Sequence, residues 1–374
     1  METHAHGRRI QGFDGLRAIA FVLVFLSHKI KFADASPYGS VSVWAFFVLS
    51  GFLITRILAA KRTEIEAGRS SVGQGLGRFY IRRTARIVPP FYVLLAVLTA
   101  VTLFAPVEAF THANKLASAT FTLNILIGYH GYWAGHFGHF WTLAVEQQFY
   151  LLFAPLVLLV PRRHTLAVCL TVLVIGLATM IELEASDVTA VTRYVNSLVN
   201  FSLLALGGAA GINAHRKLPA WLATGSAQLA TLGVLIASAL LFGHTQEWPL
   251  YGRLGCAIIA ALLLLQIVQG QESWFVSALE IAPLRGLGRI SYSAYLVHEF
   301  IFMAPFLYGL DPQTLGFGLP WMAATLLEFA IVVAIAALSW RYMERPIIVW
   351  AARVTTREQA AVDAARGLSL RSQA

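Results

Sequence analysis

Apolar segments long enough to cross a membrane recur along this chain from one end to the other. A helix needs about 20 predominantly apolar residues to cross a hydrocarbon core of ~30 Å. The pattern predicts an all-α polytopic bundle with about ten membrane spans, at residues 13–31, 40–60, 87–106, 139–160, 165–184, 196–214, 220–243, 252–270, 290–309 and 319–340. A shorter apolar piece at 117–130 is interpreted as re-entrant or interfacial.

Composition supports the same class of protein. Of the 374 residues, 57% are hydrophobic and 13% are charged, whereas soluble domains carry about 25% charged residues. The two cysteines, Cys169 and Cys256, lie inside apolar segments and indicate neither a disulfide framework nor a metal site. The sequence therefore predicts a multi-pass protein of the inner (plasma) membrane, with the lipid bilayer as its first partner.

The distribution of basic residues predicts the orientation of the spans. If the N-terminus is cytoplasmic, 21 of the 28 Lys and Arg residues fall in cytoplasmic segments. This asymmetry follows the positive-inside rule and predicts that both termini are cytoplasmic. The formal net charge of +9 then reflects topology rather than nucleic-acid binding. The first segment is expected to be retained, because no small-residue cleavage site follows it.

Polar stretches predict the domain organisation. Residues 1–350 are interpreted as one transmembrane domain and residues 351–374 as a polar cytoplasmic tail. The Gly- and Ser-rich segment 61–79 is expected to form a mobile cytoplasmic connection. Gly207 and Gly211 have the small-xxx-small spacing that allows two helices to approach closely.

The first span contains two ionisable residues eleven positions apart, Arg17 and His28. At about 100° and ~1.5 Å per residue, they lie on one face of one helix, about 16 Å apart along its axis. Ionisable groups at membrane depth are costly, so this pair indicates a functional site. Asp14 precedes Arg17 by three residues, and a boundary ion pair without a catalytic role is the alternative. For His28, the alternative is an interfacial side chain.

Glu146 lies about two turns into the fourth predicted span, at a depth that matches His28. A carboxylate close to a histidine orients the ring and raises its basicity, which would make His28 a general base. The alternative is two independent polar contacts, because a sequence does not show which helices touch.

Arg82, Arg83 and Arg86 lie close together before Pro89 and Pro90, which are expected to interrupt the third span's helix. Clustered guanidinium groups suit bidentate binding of phosphates. An ordinary positive-inside anchor is the alternative.

Two further segments mix aromatic and ionisable residues. Residues 128–141 carry His130, His136 and His139 among aromatic residues, which fits either a carbohydrate platform or an aromatic belt. A metal site there is not predicted, because no carboxylate or cysteine joins these histidines. His298 and Glu299 lie in the ninth span, as a polar contact between helices or as catalytic groups.

Six blocks, in order, resemble the acyltransferase-3 family of integral membrane acyltransferases. GLRAIAFVLVFLSH is similar to its opening Arg–x10–His motif, and AFFVLSGFLITRIL to its FFVLSGFL block. RRTARIVPPFY resembles RRxxRIxPxY, and HFWTLAVEQQFYLLFAPL resembles HxWSLxxExxFYLxxP. GRISYSAYLVHEF and SWRYMERPI resemble its closing motifs.

The resemblance implies roles for matching residues. Arg17 and His28 would be essential, Glu146 the motif acid, and the three arginines the acyl-CoA entrance. Further candidates for acceptor contacts or support are Asp14, His139, Trp141, Tyr150 and His298.

The chain departs from the family pattern at several positions. Trp44 stands where many members carry Asp, Thr142 replaces Ser, and Gln147 replaces a frequent second Glu. Glu299 and Phe300 stand where Trp and Pro are usual. No SGNH-type esterase domain is expected after the bundle, so the chain is interpreted as a stand-alone member.

The resulting hypothesis is an O-acyltransferase that uses cytoplasmic acyl-CoA, by default acetyl-CoA, and no metal. It would modify a hydroxyl of a sugar-containing acceptor, either an envelope glycan, a glycolipid or a glycosylated small molecule. His28, held by Glu146, would activate that hydroxyl directly, or would carry the acyl group covalently. The alternative function is a proton-coupled transporter or flippase. The sequence predicts no nucleic-acid partner and does not indicate the oligomeric state.

Overall fold

The computed structural model describes residues 9–29, 37–104, 111–242, 250–301 and 319–356, and within these ranges all regular structure is helical. The α-helices are α1 Phe13–Ser27, α2 Pro37–Glu66, α3 Val72–Phe104, α4 His112–Ala119, α5 Leu123–His130, α6 Phe140–Leu159, α7 Thr165–Ala185, α8 Ala190–Val195, α9 Ser197–Asn213, α10 Gly225–Phe242, α11 Leu250–Gln269, α12 Trp274–Leu279, α13 Ala282–Ile301 and α14 Leu319–Ser339. Short 3-10 turns occupy Gly135–Phe137, Arg162–His164 and Ala220–Ala223. The all-α class is confirmed for the described residues.

Six helical segments within the described ranges are long and apolar enough to cross a membrane. They are Gly39–Glu66, Val72–Thr102, Gly135–Leu159, Arg162–Ala185, Tyr251–Gln269 and Pro320–Thr356. Ser197–Asn213 and Gly225–Ala239 are apolar but shorter. The predicted spans 13–31 and 290–309 extend beyond the described residues, so the count of ten and the orientation of the termini stay predictions.

The segment around 61–79 differs from its prediction. Helix α2 continues to Glu66 and α3 already begins at Val72, so only a short turn connects the two helices. The expectation of a long mobile connection is wrong, because the glycines between 73 and 77 are taken into the first turns of α3. Pro89 and Pro90 lie inside α3 without ending it, as membrane helices often tolerate.

Residues 117–130 do not form a span. Helices α4 and α5 have eight residues each, and the chain turns between them at Phe121, which has a positive φ of 53°. This agrees with the interpretation of the segment as a non-spanning piece.

Helix α2 lies at the centre of the bundle, against α1, α6, α9 and α11. It approaches α9 so closely that a Cβ on Gly51 would lie 1.8 Å from the Leu204 carbonyl oxygen, and one on Gly207 would lie 2.0 Å from that of Val48. A Cβ on Gly211 would likewise lie 2.7 Å from the Phe52 carbonyl oxygen. The close helix approach predicted from Gly207 and Gly211 is confirmed.

Helices α1 and α13 run side by side in the same direction, and this arrangement positions the site. Near their first turns, a Cβ on Gly288 would lie 1.8 Å from the Asp14 carbonyl oxygen, so only glycine fits. Near their last turns, His28 contacts Glu299. Helix α14 covers the outside of this pair, where Val332 and Ala336 pack with Phe21 and Phe25.

A π-helical turn, Trp340–Glu344, follows α14, and helical backbone continues to residue 356. Such turns are rare and frequently found at functional sites. This one buries Glu344, which accepts hydrogen bonds from Ser293 at 2.6 Å and from Ser339 at 3.0 Å. The described start of the predicted 351–374 tail therefore belongs to the bundle, and residues after 356 lie outside the described part.

Candidate functional site

Ionisable side chains collect in two groups beside the parallel helices α1 and α13. The group near their last turns, here called the histidine cluster, consists of His28, His136, His139, His298 and Glu299. The group near their first turns, here called the arginine cavity, is lined by the polar side chains of Arg17, Ser50, Arg83, Arg86, Glu146 and Tyr150. Arg17 and His28 are eleven residues apart on α1, and Arg17 lies in the arginine cavity whereas His28 lies in the histidine cluster.

Glu299 lies at the centre of the histidine cluster. Its Oε1 is 2.6 Å from His28 Nδ1, and its Oε2 is 3.1 Å from His136 Nδ1. The carboxylate is 9% exposed, while the two imidazoles are 41% and 47% exposed. One nearly buried carboxylate thus holds two rings that face an accessible surface.

His298 closes the inner side of this cluster and is fully buried. Its Nδ1 lies 2.6 Å from the Tyr295 carbonyl oxygen, an acceptor, so Nδ1 carries the proton. Its Nε2 lies 3.7 Å from Glu299 Oε1, and its ring centroid is 5.2 Å from that of His28.

His139 joins two helices. It precedes α6, and its Nδ1 and Nε2 lie 2.8 Å and 3.2 Å from the carbonyl oxygens of His136 and Leu296. Because both ring nitrogens contact backbone of this chain, His139 braces the start of α6 against α13.

The arginine cavity has a volume of about 140 Å³. Arg17 contributes from α1 and pairs with Asp14 at 3.3 Å, and Asp14 also pairs with Arg9 at 2.9 Å. Arg83 lies over the Tyr150 ring, with its guanidinium carbon 5.4 Å from the ring centroid. Three guanidinium groups around one space make it attractive to anions.

Two hydroxyl groups lie between the cavity and the histidine cluster. Thr142 Oγ1 and Tyr295 Oη are 2.9 Å apart, and both side chains line the cavity. Each of them also donates to the His139 carbonyl oxygen, at 3.1 Å and 3.0 Å. The two hydroxyl side chains therefore connect the cavity lining to the backbone of the histidine cluster.

The predicted pairing of His28 with Glu146 is wrong. Glu146 lies in the arginine cavity, beside Ser50, Arg83 and Tyr150, and the Tyr150 hydroxyl lies 2.5 Å from that of Ser50. The reason is depth: His28 caps the last turn of α1, whereas Glu146 is the seventh residue of α6, about 9 Å from its start.

The structure brings two of the three predicted arginines together. Arg83 and Arg86 line the cavity. Arg82 instead donates from Nε to Thr355 Oγ1 at 2.8 Å and contacts the helical segment 345–356. The three arginines therefore do not form one anion site, because Arg82 projects from the other flank of α3.

The aromatic candidates fall into a buried and an exposed set. Trp141 is 3% exposed and packs on Phe47 and Tyr194, with ring centroids 5.7 Å and 5.1 Å away. It supports the core and is not in reach of an acceptor. The exposed aromatic residues of the same segment are Tyr129, Tyr132 and Trp133.

Trp44, which replaces a frequent Asp of the resembled family, is fully buried. The guanidinium carbon of Arg253 lies 5.4 Å from the ring centroids of both Trp44 and Tyr194. Arg253 is buried on these two rings.

Sequence reasoning undervalued Glu299 and His136. The sequence leaves Glu299 as either a polar contact between helices or a catalytic group, and it places His136 in an aromatic segment without a carboxylate. The available signal was the His298–Glu299 pair itself, an acid where related motifs carry Trp. The sequence does not show that α1 and α13 lie side by side, and this contact brings Glu299 to His28.

Apolar helices with ionisable side chains collected between them define a membrane protein with a buried polar site. The chain matches the model of the acyltransferase-3 family, described as an acyltransferase domain, over residues 10–341. It therefore belongs to this family, and the resemblance seen in the six sequence blocks is confirmed.

Several bacterial relatives are similar to the chain. It is 29% identical over 369 residues to "Peptidoglycan O-acetyltransferase OatA" of Listeria monocytogenes, covering 92% of this chain and 57% of the relative. It is 26% identical over 360 residues to "O-acetyltransferase OatA" of Staphylococcus aureus, with 91% and 57% covered. "Putative peptidoglycan O-acetyltransferase YrhL" of Bacillus subtilis is 28% identical over 366 residues, with 91% and 55% covered.

The chain spans little more than half the length of these relatives. No solved structure matches it.

Proposed function

We propose that this protein is a membrane O-acetyltransferase that moves an acetyl group from acetyl-CoA to a hydroxyl of a sugar-containing acceptor. One observation carries the proposal: a histidine–carboxylate pair and an anion-attracting cavity each contain one residue of α1, and Thr142 and Tyr295 of the cavity lining bond to the backbone of the histidine cluster. This is the arrangement that acyl transfer from an anionic thioester requires. The family and the names of the relatives support the same reaction class.

The arginine cavity is the proposed donor site. Acyl-CoA carries phosphates and a long uncharged pantetheine arm, and guanidinium groups bind phosphate oxygens well. Arg17, Arg83 and Arg86 would hold the anionic part on the cytoplasmic side. The arm would then extend past Thr142 and Tyr295 toward His28, over the ~16 Å that separates the two α1 residues.

His28 is the proposed general base. Glu299 lies against Nδ1 and favours the tautomer that carries the proton there, which leaves the Nε2 lone pair for the acceptor. Nε2 would take the proton of the acceptor hydroxyl as its oxygen attacks the thioester carbon. When the C–S bond breaks, the CoA thiolate leaves and accepts the proton from the imidazolium.

An acyl-imidazole relay through the same nitrogen is the alternative chemistry. In that case, the thioester is attacked by Nε2 first, and the acetyl group then passes to the acceptor. The relay requires an acetylated His28, which can be trapped, whereas direct transfer does not.

The acceptor would approach from the outer face, where His28 and His136 are exposed. Tyr129, Tyr132 and Trp133 offer exposed aromatic faces in the same segment as His136, and such faces suit sugar rings. Peptidoglycan is the acceptor in the names of two relatives, so glycan strands are the first acceptor to test.

The proposal is tested with purified protein in lipid nanodiscs, radiolabelled acetyl-CoA and soluble peptidoglycan fragments. Wild-type protein should label the fragments, and His28→Ala should not, while CoA still stabilises the variant against heat. His215→Gln, at an exposed histidine outside both groups, is the matched control. Labelling by His28→Ala at the wild-type rate would overturn the assignment.

A further inference from the structure

The histidine cluster brings three metal-binding side chains to one point. His28, His298 and Glu299 each offer one ligand atom, and these atoms all lie within 4.8 Å of one another. We propose that these three residues form a Zn²⁺ site, and that the bound ion inhibits acetyl transfer. The inhibitory part rests on the function proposed above, whereas the binding part does not.

The distances suit a tetrahedral transition-metal ion. With Zn–N and Zn–O bonds of about 2.0–2.2 Å, neighbouring ligand atoms lie roughly 3.3 Å apart. The observed separations from Glu299 Oε1 are 2.6 Å to His28 Nδ1 and 3.7 Å to His298 Nε2. Side-chain adjustments of well under 1 Å would bring these two pairs to the required spacing, and the ligand atoms of His28 and His298, within 4.8 Å of each other, would have to move closer by up to about 1.5 Å.

Each of the three side chains can offer a lone pair at the common point, His28 after its ring proton moves to Nε2. Since Nδ1 of His298 donates to the Tyr295 carbonyl, Nε2 of the neutral ring is a lone-pair donor on the Glu299 side. A backbone carbonyl on the second ring nitrogen is the usual support of a metal-binding histidine. Glu299 Oε1 lies between the two rings, 2.6 Å from His28 Nδ1 and 3.7 Å from His298 Nε2, so it is placed to share an ion with both.

The number of ligands and the access from the surface also fit a Zn²⁺ site. Two histidines and one glutamate leave a fourth position, which is the ligand set of several zinc enzymes. His136 Nδ1 contacts the other oxygen of the same carboxylate, Glu299 Oε2, at 3.1 Å. The partial exposure of His28 and His136 provides an entrance for the ion.

Binding would disable the proposed base by changing its tautomer. An ion on Nδ1 of His28 requires the ring proton to be on Nε2, the atom that must accept the proton of the acceptor hydroxyl. The ion also withdraws Glu299 from its contact with the ring. The protein would therefore be unable to transfer an acetyl group while Zn²⁺ is bound at this site.

Equilibrium dialysis of the untagged protein in nanodiscs against Zn²⁺, with metal measured by mass spectrometry, tests the site without any acetyl transfer. We expect one Zn²⁺ per wild-type chain, at least about tenfold weaker binding in His298→Gln and in Glu299→Gln, and unchanged binding in His215→Gln. Co²⁺ in place of Zn²⁺ should give the intense visible bands of a tetrahedral ion in wild-type protein.

Two results would overturn the site: no bound Zn²⁺ in well-folded wild-type protein, or binding that both variants retain. The Co²⁺ spectrum uses wild-type protein and decides the matter if a variant does not fold. The inhibitory role is tested separately, because Zn²⁺ should stop labelling of the acceptor and EDTA should restore it. Stoichiometric binding without inhibition would overturn that role alone.

Discussion

Glu299, two residues before the end of α13 at Ile301, holds the imidazole of His28 at the end of α1, with 2.6 Å between Oε1 and Nδ1. The contact follows from two helices that run in the same direction and touch at Gly288 near their first turns. It places the carboxylate on Nδ1, so Nε2 is the nitrogen that would act in the proposed reaction. The same carboxylate reaches His136, so a second exposed imidazole shares its charge.

Glu299→Gln should lower kcat for acetyl transfer, because the amide removes the charge that favours the required tautomer of His28. Removal of a general base costs about 100-fold to 10,000-fold, and we expect a smaller loss, roughly tenfold to 100-fold, when only its orientation is affected. The measurement is the steady-state rate at saturating acetyl-CoA, with the stabilisation of each variant by CoA recorded in parallel.

Glu272→Gln, at an exposed glutamate outside the site, is the control for this substitution. Wild-type kcat in Glu299→Gln would contradict the role of the carboxylate. A loss confined to KM for acetyl-CoA would place Glu299 in donor binding instead.

Arg83→Ala and Arg86→Ala should weaken CoA binding much more than Arg82→Ala does. A hydrogen bond to a charged group contributes about 1.5–3 kcal/mol, which corresponds to roughly tenfold to 100-fold in Kd. Arg82 bonds to Thr355 and lies outside the cavity, so its removal should affect stability rather than Kd. Thermal shifts against CoA concentration at constant ionic strength give the comparison. Equal losses in all three variants would contradict the assignment of the cavity.

The sequence predicted the helices well because long apolar segments leave the backbone no other way to satisfy its hydrogen bonds in lipid. It placed Arg17 and His28 correctly on one side of α1, since helix geometry alone decides that relation. The partner of His28 could not be predicted in this way. Glu146 and Glu299 both lie in apolar helices, and only the packing of α13 on α1 decides which carboxylate reaches the ring.

The arginines illustrate the same limit. Arg82 and Arg83 lie on opposite flanks of Arg86, and either flank could have faced the cavity. The choice depends on the helical segment 345–356, which covers the Arg82 flank through Thr355.

Gly288→Ala should reduce both stability and transfer. The added Cβ would lie 1.8 Å from the Asp14 carbonyl oxygen, so α1 and α13 must separate. Overpacking of this kind costs about 1–3 kcal/mol, and the separation should also draw His28 away from Glu299. Gly286→Ala, on the same helix with open space at its Cβ, is the control. Unfolding midpoints and transfer rates at a temperature where both variants are folded test this, and equal behaviour of the two variants would contradict it.

The buried ion pair between Lys29 and Glu328 should contribute to the attachment of α14. Their side chains are 6% and 2% exposed, and the ammonium of Lys29 contacts the Glu328 carboxylate. Glu328→Leu should therefore destabilise the protein strongly, by about 3–5 kcal/mol, because the buried ammonium group of Lys29 loses the Glu328 carboxylate. The double variant Lys29→Met with Glu328→Leu should recover most of the loss. A double variant as unstable as the single one would show that the pair is not the cause.

The most direct test of the account is acetyl transfer across a sealed membrane. Protein reconstituted in one orientation receives radiolabelled acetyl-CoA only on its cytoplasmic face, and peptidoglycan fragments only on the opposite face. The account predicts labelled fragments with wild-type protein and with His215→Gln, and none with His28→Ala. Labelling that persists in His28→Ala, or that requires donor and acceptor on the same face, would contradict it.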